Sequence, residues 1–196
     1  ERLRKIANKV LDHALPIQRD QVVVFFTGNE NLDLASSFAA ECNARGIETL
    51  IHCEGDYIYH ARLIEAPLEM LSREPKTYKA LVDVADWIIY MTGSHFDNSI
   101  YQKAELKERL IEVESISKWT IYNLLELCLE KKTYLVAFLD PNLQQAQALN
   151  KTYAETREIF LDSLDIDYEA LSDLGQKIIN NEEKSKLIHL SCPNGT

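Results

Sequence analysis

Three short, unbroken apolar runs constrain the fold of this chain more than any other feature. They span residues 22–26, 87–91 and 134–139. An uninterrupted apolar run of this length is typical of a parallel strand that is covered on both faces, since a strand with one wet face alternates. A further strand is predicted over residues 47–53. The sequence therefore predicts a sheet of buried, mainly parallel strands.

Helix-length segments separate these strands. An amphipathic helix with Ile6 and Val10 on its apolar side opens the chain and ends before Pro16. A second helix over residues 32–44 is closed by Gly46 at its C′ position. Further helices are predicted over 57–71, with a break at Pro67, and over 78–85, 100–114 and 119–129. Strands that alternate with helices pair in parallel through right-handed crossovers, so we expect a three-layer, doubly wound α/β fold of the flavodoxin or Rossmann kind.

The pattern changes after Pro141 to helices alone, over residues 143–149, 153–161 and 168–180. A final strand is predicted over 186–191, and it runs into the hairpin signal Asn194-Gly195 with no returning strand. The first residue is Glu1 and not methionine. We expect a doubly wound domain over 1–140 and, over 141–196, a helical bridge and the start of a second domain with a truncated final strand. These features predict the front part of a longer protein.

Composition limits the partners and the compartment. The formal net charge of −10 argues against nucleic acid, which requires a basic surface. No apolar run approaches the ~20 residues of a membrane span. The four cysteines are scattered without a C-x-x-C pair, which indicates free thiols in a reducing compartment. A cytoplasmic protein without nucleic-acid or membrane partners is the resulting prediction.

The carboxyl ends of the strands are the place to look for a ligand, because doubly wound sheets bind ligands there. The residues predicted to line this cleft are Thr27, Gly28 and Asn29 after the first strand, and Thr92, Gly93, Ser94 and His95 after the third. A Ser-His pair in neighbouring positions does not establish base geometry, and the strained Gly-x-Ser-x-Gly turn is absent. We therefore assign no catalytic residue to this chain.

A nucleotide is disfavoured as the ligand of this cleft. The first loop contains one glycine, whereas the dinucleotide fingerprint requires three. Glu30 and Asp33 suit the positive end of a helix but repel a pyrophosphate there. Glu54 stands near the position of a ribose-binding acid, so a nucleotide remains an alternative.

No metal site is predicted either. His52 and Cys53 are neighbours on a strand and point to opposite faces, so both cannot reach one ion, even with His60 nearby. The carboxylates near residues 162–173 lack calcium-loop spacing and are better explained by helix capping, with Asp165 or Asp167 as the cap. Residues 119–129 are apolar nearly all round, which predicts a helix buried on several sides, either by the core or by a partner.

The order of these parts carries a resemblance to a known family. It lies in the helix before Pro16, the strand at Val22 and the helix closed by Gly46. It continues through residues 161–167 and 174–177 to the closing strand, which ends Asn194-Gly195-Thr196. In this order the chain resembles the thermophilic-type metallo-aminopeptidases, the family of aminopeptidases T and S. Members of that family carry a Gly-Thr-Asp-Leu turn at the last point, and this chain stops after its Gly-Thr.

The resemblance implies a function for the parent protein. Two divalent ions (zinc, cobalt or manganese) would polarise a peptide carbonyl and activate a water on it. In the family all ligands of those ions lie in the C-terminal domain, so the resemblance assigns neither metal nor other cofactor to this segment. It implies a non-catalytic domain that forms one wall of the cleft for a peptide substrate, within a homodimer. A stand-alone module that binds a small ligand or nucleotide, or an assembly domain that uses the 119–129 helix, remains an alternative.

Overall fold

The computed structural model describes residues 1–91, 106–138, 141 and 143–182. The predicted strand at 186–191 and the Asn194-Gly195 turn lie outside these residues. The described strands are β1 (Val22–Thr27), β2 (Glu48–Cys53), β3 (Trp87–Met91) and β4 (Tyr134–Ala137). The described helices are α1 (Arg2–His13), α2 (Leu32–Ala44), α3 (Asp56–Glu65), α4 (Leu68–Leu71), α5 (Lys76–Val84), α6 (Lys107–Ile116), α7 (Ile121–Lys131), α8 (Leu143–Ala148), α9 (Tyr153–Leu164) and α10 (Tyr168–Glu182), with a 3-10 turn at Asn29–Asn31.

The sheet confirms the predicted α/β fold. Its strand order is β2-β1-β3-β4, and every pair is parallel. Phe26 is in register with His52 of β2 on one side and with Tyr90 of β3 on the other. Two of the three apolar runs are the inner strands β1 and β3, as the burial of inner parallel strands requires. The third run contains the edge strand β4, which is only partly buried.

Helices cover both faces of the sheet. On one face, α1 and α2 bury Ile6 and Phe38 against Val23 and Phe25 of β1. On the other face, α5 and α7 pack on Val24, Phe26 and Ile88, and these side chains form a second core with Val82 and Leu124. Alternate residues of β1 thus enter different cores, as the period of a strand dictates.

Gly46 closes α2 as predicted. Its φ is +78°, in the left-handed region that side chains with a Cβ rarely adopt. The amide of Ile47 donates to the carbonyl of Cys42, and the chain then enters β2. The break at Pro67 is confirmed as well, because α3 ends at Glu65 and Pro67 precedes α4.

The helix α9 packs on the face that α1 and α2 cover. Leu161 is buried in the same core as Ile6 and Phe38. The predicted acidic group is used for ion pairs and for capping: Asp162 pairs with Arg2 at 2.6 Å and Asp165 with Lys9 at 2.7 Å. Asp167 accepts a hydrogen bond from the amide of Ala170 at 3.0 Å, which makes it the N-cap of α10. The division of the chain at residue 140 stays a prediction.

In the part of the chain that the structure describes, the core covers only one side of α7, so burial all round by the core is wrong, and burial of the other side by a partner stays a prediction. Leu124, Leu127 and Cys128 enter the core, whereas Tyr122 is 77% and Leu129 71% exposed. The sequence pattern does not distinguish the two alternatives, because it does not show which face of the helix contacts the sheet. Within the described residues, no helix is both long and apolar enough to cross a bilayer.

Candidate functional site

The strand order sets the position of the candidate site. The chain leaves β1 for β2 on one side, and then crosses to β3 on the other side. In doubly wound sheets a crevice opens at such a reversal, outside the carboxyl ends of the two strands. Thr27 and Met91, the last residues of β1 and β3, are partners in the register and mark this edge.

Hydrogen bonds tie the two sides of the crevice together. The Thr27 hydroxyl donates to the carbonyl of Gly28 at 3.0 Å and lies 3.5 Å from the carbonyl oxygen of Met91. Asn31 Nδ2 donates to the same Met91 oxygen at 3.0 Å. The end of β3 is therefore held by the side chain of the last residue of β1, Thr27, and by that of Asn31, which follows β1. Gly28 has φ −88° and ψ 176°, so its backbone is extended and does not require glycine.

Asn31 is the residue of this site that the sequence did not predict. Its side chain is fully buried, and among the described residues its Oδ1 has no hydrogen-bond partner. An asparagine before a helix suggests an N-cap, but the amide makes no cap hydrogen bond to α2. Its contact with Met91 crosses between strands, and no local sequence signal announces such a contact.

Asn29 connects the crevice to β2 and α3. The Cys53 thiol donates to Asn29 Oδ1 at 3.5 Å. A Cβ placed on Gly55 would lie 3.1 Å from Asn29 Nδ2, so the side chain of Asn29 packs closely on the start of α3. Burial, and next the charge of Glu30, raises the pKa of Cys53, which keeps this thiol protonated and unreactive at neutral pH.

Two of the acidic residues around the crevice are neutralised by arginines. Asp33 pairs with Arg157 of α9 at 2.7 Å, and Glu54 forms an ion pair with Arg62 of α3. The negative charge at this edge is thus smaller than the sequence alone indicates. An anionic ligand would meet less repulsion here than the count of carboxylates implies.

The predicted cleft residues divide into two groups. Thr27, Gly28 and Asn29 come together at the end of β1, next to β2 and β3. The other four, Thr92, Gly93, Ser94 and His95, lie outside the described residues. The assignment of these seven residues to a ligand cleft stays a prediction.

His52 belongs to an aromatic group rather than to a metal site. Its ring lies 4.9 Å from the ring of Phe26 and 6.3 Å from that of Tyr78, measured between centroids. Burial lowers the pKa of His52 and raises that of Tyr78 to about 12, so both side chains are neutral near pH 7. Across the described ranges, no three His, Cys, Asp or Glu side chains are grouped to hold a metal ion. The described residues therefore do not fit a two-metal centre.

The architecture and the crevice define an α/β domain with a four-stranded parallel sheet, and comparison with known proteins adds one relation of fold. No protein family and no curated protein matches the sequence. Among solved structures, the chain is similar to AmpT from Thermus thermophilus, an aminopeptidase, with a TM-score of 0.59 and 17% identity. The match covers 83% of this chain and 42% of AmpT, so the chain spans less than half the length of that protein.

A further solved structure is less similar. It is an alcohol dehydrogenase superfamily protein from Novosphingobium aromaticivorans, with a TM-score of 0.34 and 16% identity. The match covers 88% of this chain and 49% of the other. At that score the two structures do not share enough geometry for any conclusion. Because the sequence identity to AmpT is low, the similarity to AmpT shows a shared fold and nothing more.

Proposed function

We propose that this chain is a non-catalytic N-terminal part of a metal-dependent aminopeptidase and forms one wall of its peptide cleft. The observation that carries the proposal is the shared fold with AmpT over 83% of this chain but only 42% of AmpT. A domain that matches less than half of a peptidase leaves room for the catalytic machinery elsewhere in the parent. A homodimer and a cytoplasmic location belong to the same proposal.

In this proposal the residues at the crevice bind the peptide substrate and take no part in cleaving its bond. Thr27 and Asn31 fix the loop after β1 against Met91, and this loop presents Gly28 and Asn29 at the wall of the cleft. The amide of Asn29 and the backbone around Gly28 offer hydrogen bonds to an extended peptide. Two divalent ions, held by residues of the parent's C-terminal domain and by none of this segment, would polarise the scissile carbonyl and activate a water.

The first test is the coding sequence that follows Thr196, together with activity of the protein it encodes. We expect two glutamates, histidines, a tyrosine and an aspartate downstream, and hydrolysis of leucine amide that a chelator abolishes. The 196-residue chain alone should leave the substrate uncleaved. Turnover by the chain alone, or a full-length protein without metal-dependent cleavage, would refute the proposal.

A pair of variants in the full-length protein tests the role of the wall. Asn29→Ala should raise KM several-fold, about what one lost hydrogen bond gives, and leave kcat within about twofold. The control is Gln18→Ala, because Gln18 is exposed and precedes β1, at the amino ends of the strands and away from the crevice. Equal kinetics for both variants would contradict the assignment of Asn29 to the cleft.

A second candidate is a module that binds a small anionic ligand in the same crevice. The observation that favours it is the pairing of Asp33 with Arg157 and of Glu54 with Arg62, which lowers the repulsion that an anion would meet. Calorimetric titration of the 196-residue chain with nucleotides and with inorganic phosphate separates the candidates. Saturable binding that Asn29→Ala abolishes would favour the module over the cleft wall.

A further inference from the structure

Three helices beside the sheet form a unit with a core of its own. Leu63 of α3, Leu71 of α4, and Leu110 and Val113 of α6 are buried together in a cluster separate from the two cores on the sheet. Arg109 of α6 ties the unit together, because its guanidinium donates to the carbonyl of Leu63 at 3.2 Å and also to that of Ala66. We call α3, α4 and α6 the three-helix unit.

Arg62 and Trp119 lie where the three-helix unit meets the sheet layers, and Trp119 packs against the core of the unit as well as against the second core of the sheet. The indole N–H of Trp119 donates to the carbonyl of Met70 in α4 at 3.4 Å. The guanidinium of Arg62 lies 4.3 Å from the centroid of the Trp119 ring, and it forms an ion pair with Glu54 at the end of β2. Both charged side chains are largely buried, with 12% and 20% exposed. The Trp119 ring packs in turn on Tyr78 of α5, with 5.6 Å between centroids.

A contact of this kind differs physically from a packed core. Its attraction is charged and directional, and opening it returns the guanidinium and the carboxylate to water, which solvates them well. The small core of the three-helix unit stays intact when Trp119 moves with it, so that the opening separates Arg62 from Glu54 and Trp119 from Tyr78. The unit also begins directly after β2, where Gly55 packs on the side chain of Asn29 in the crevice.

We propose that the three-helix unit is a lid beside the crevice, and that Arg62, seated between Glu54 and Trp119, is the latch that holds it closed. The lid moves as one body because Arg109 and the buried leucines join its helices. Opening separates Gly55 from Asn29 and widens access to the end of β1. This inference is independent of the peptidase proposal, since it concerns motion of the domain and no reaction.

Native-state hydrogen exchange of the 196-residue chain tests the latch. Amides of α3, α4 and α6 should share one protection level that is lower than that of β1 and β3. Arg62→Gln should speed exchange in the three-helix unit about tenfold or more and leave β1 and β3 unchanged. The matched control is Arg73→Gln. Arg73 forms an ion pair with Glu69 of α4, but its side chain is 69% exposed, so this variant should change the exchange rates by less than about twofold.

Two outcomes would overturn the proposal. If Arg62→Gln speeds exchange equally in the unit and in the central strands, Arg62 is a stabilising contact of one cooperative fold. If the variant leaves the exchange rates of α3, α4 and α6 unchanged, the ion pair of Arg62 does not hold the three-helix unit closed. If Arg62→Gln does not fold, hydrogen exchange of the wild type is measured at low urea concentrations instead. The proposal requires that the opening free energy of amides in the lid depend less on urea than that of amides in β1 and β3. Equal urea dependence for the two groups of amides would refute the lid.

Discussion

Replacing Leu161 by alanine tests whether α9 is part of the folded core or an appendage to it. Leu161 is 2% exposed and packs with Ile6 and Phe38 in the core beneath α1 and α2. Removing a buried leucine side chain costs about 3 kcal/mol of unfolding free energy, from lost burial and the cavity left behind. In a chain of this size that loss lowers the melting temperature by roughly 6–12 °C.

The control for this prediction lies two residues away on the same helix. Ile159 is 51% exposed, so Ile159→Ala should change the unfolding free energy by no more than about 0.5 kcal/mol. Urea unfolding followed by circular dichroism measures both variants and the wild type under identical conditions. Equal stability of the two variants would refute the reasoning, because α9 would then rest on the domain without supporting it. A second, separate unfolding transition in Leu161→Ala would instead show that α9 unfolds by itself.

Two further predictions concern the crevice and the aromatic group beside it. Asn31→Asp should lower the unfolding free energy by more than about 3 kcal/mol, since it buries a charge beside the Met91 carbonyl. Asn31→Ala should lower it by only about 1 kcal/mol, because the variant loses the hydrogen bond to Met91 but also removes the unpaired Oδ1. Equal urea midpoints for the two variants would contradict this. Because the pKa of His52 is lowered in the folded chain, the unfolded chain takes up the proton more readily, and stability should fall as the pH drops below the ordinary histidine pKa near 6.5. Between about pH 7.5 and 5.5, His52→Gln should therefore lose less stability than the wild type. Identical losses would disprove this.

The sequence predicted the fold well because the relevant signals are local. Unbroken apolar runs indicated the strands, and Gly46 indicated the end of α2, where the structure has the required positive φ. The same reasoning placed Thr27 and Asn29 at the edge of the sheet, since the carboxyl ends of parallel strands meet at one edge. Each of these inferences needs only the residues of a single element and the geometry of parallel strands.

The rest of the site depends on contacts between distant residues. Arg157 neutralises Asp33 across 124 positions of sequence, so the carboxylate count exaggerated the charge of the crevice. Asn31 carries no cap hydrogen bond and reaches Met91 instead, 60 positions further on. The exposed side of α7 is a related case, because apolar residues all round a helix do not tell which neighbours, core or partner, cover each face. Tertiary contacts decided all three cases.

The position of α9 shows where the winding pattern of the fold ends. The helix α2 lies on the same face as α9 and carries the chain from β1 to β2, towards the β2 edge of the sheet. The helices α5 and α7, on the opposite face, accompany the steps towards β4. Since crossovers keep one hand, a helix on the α2 face cannot lead to a fifth parallel strand beside β4. Over the described residues, the chain therefore leaves the doubly wound pattern after β4, and the second domain expected over 141–196 stays a prediction.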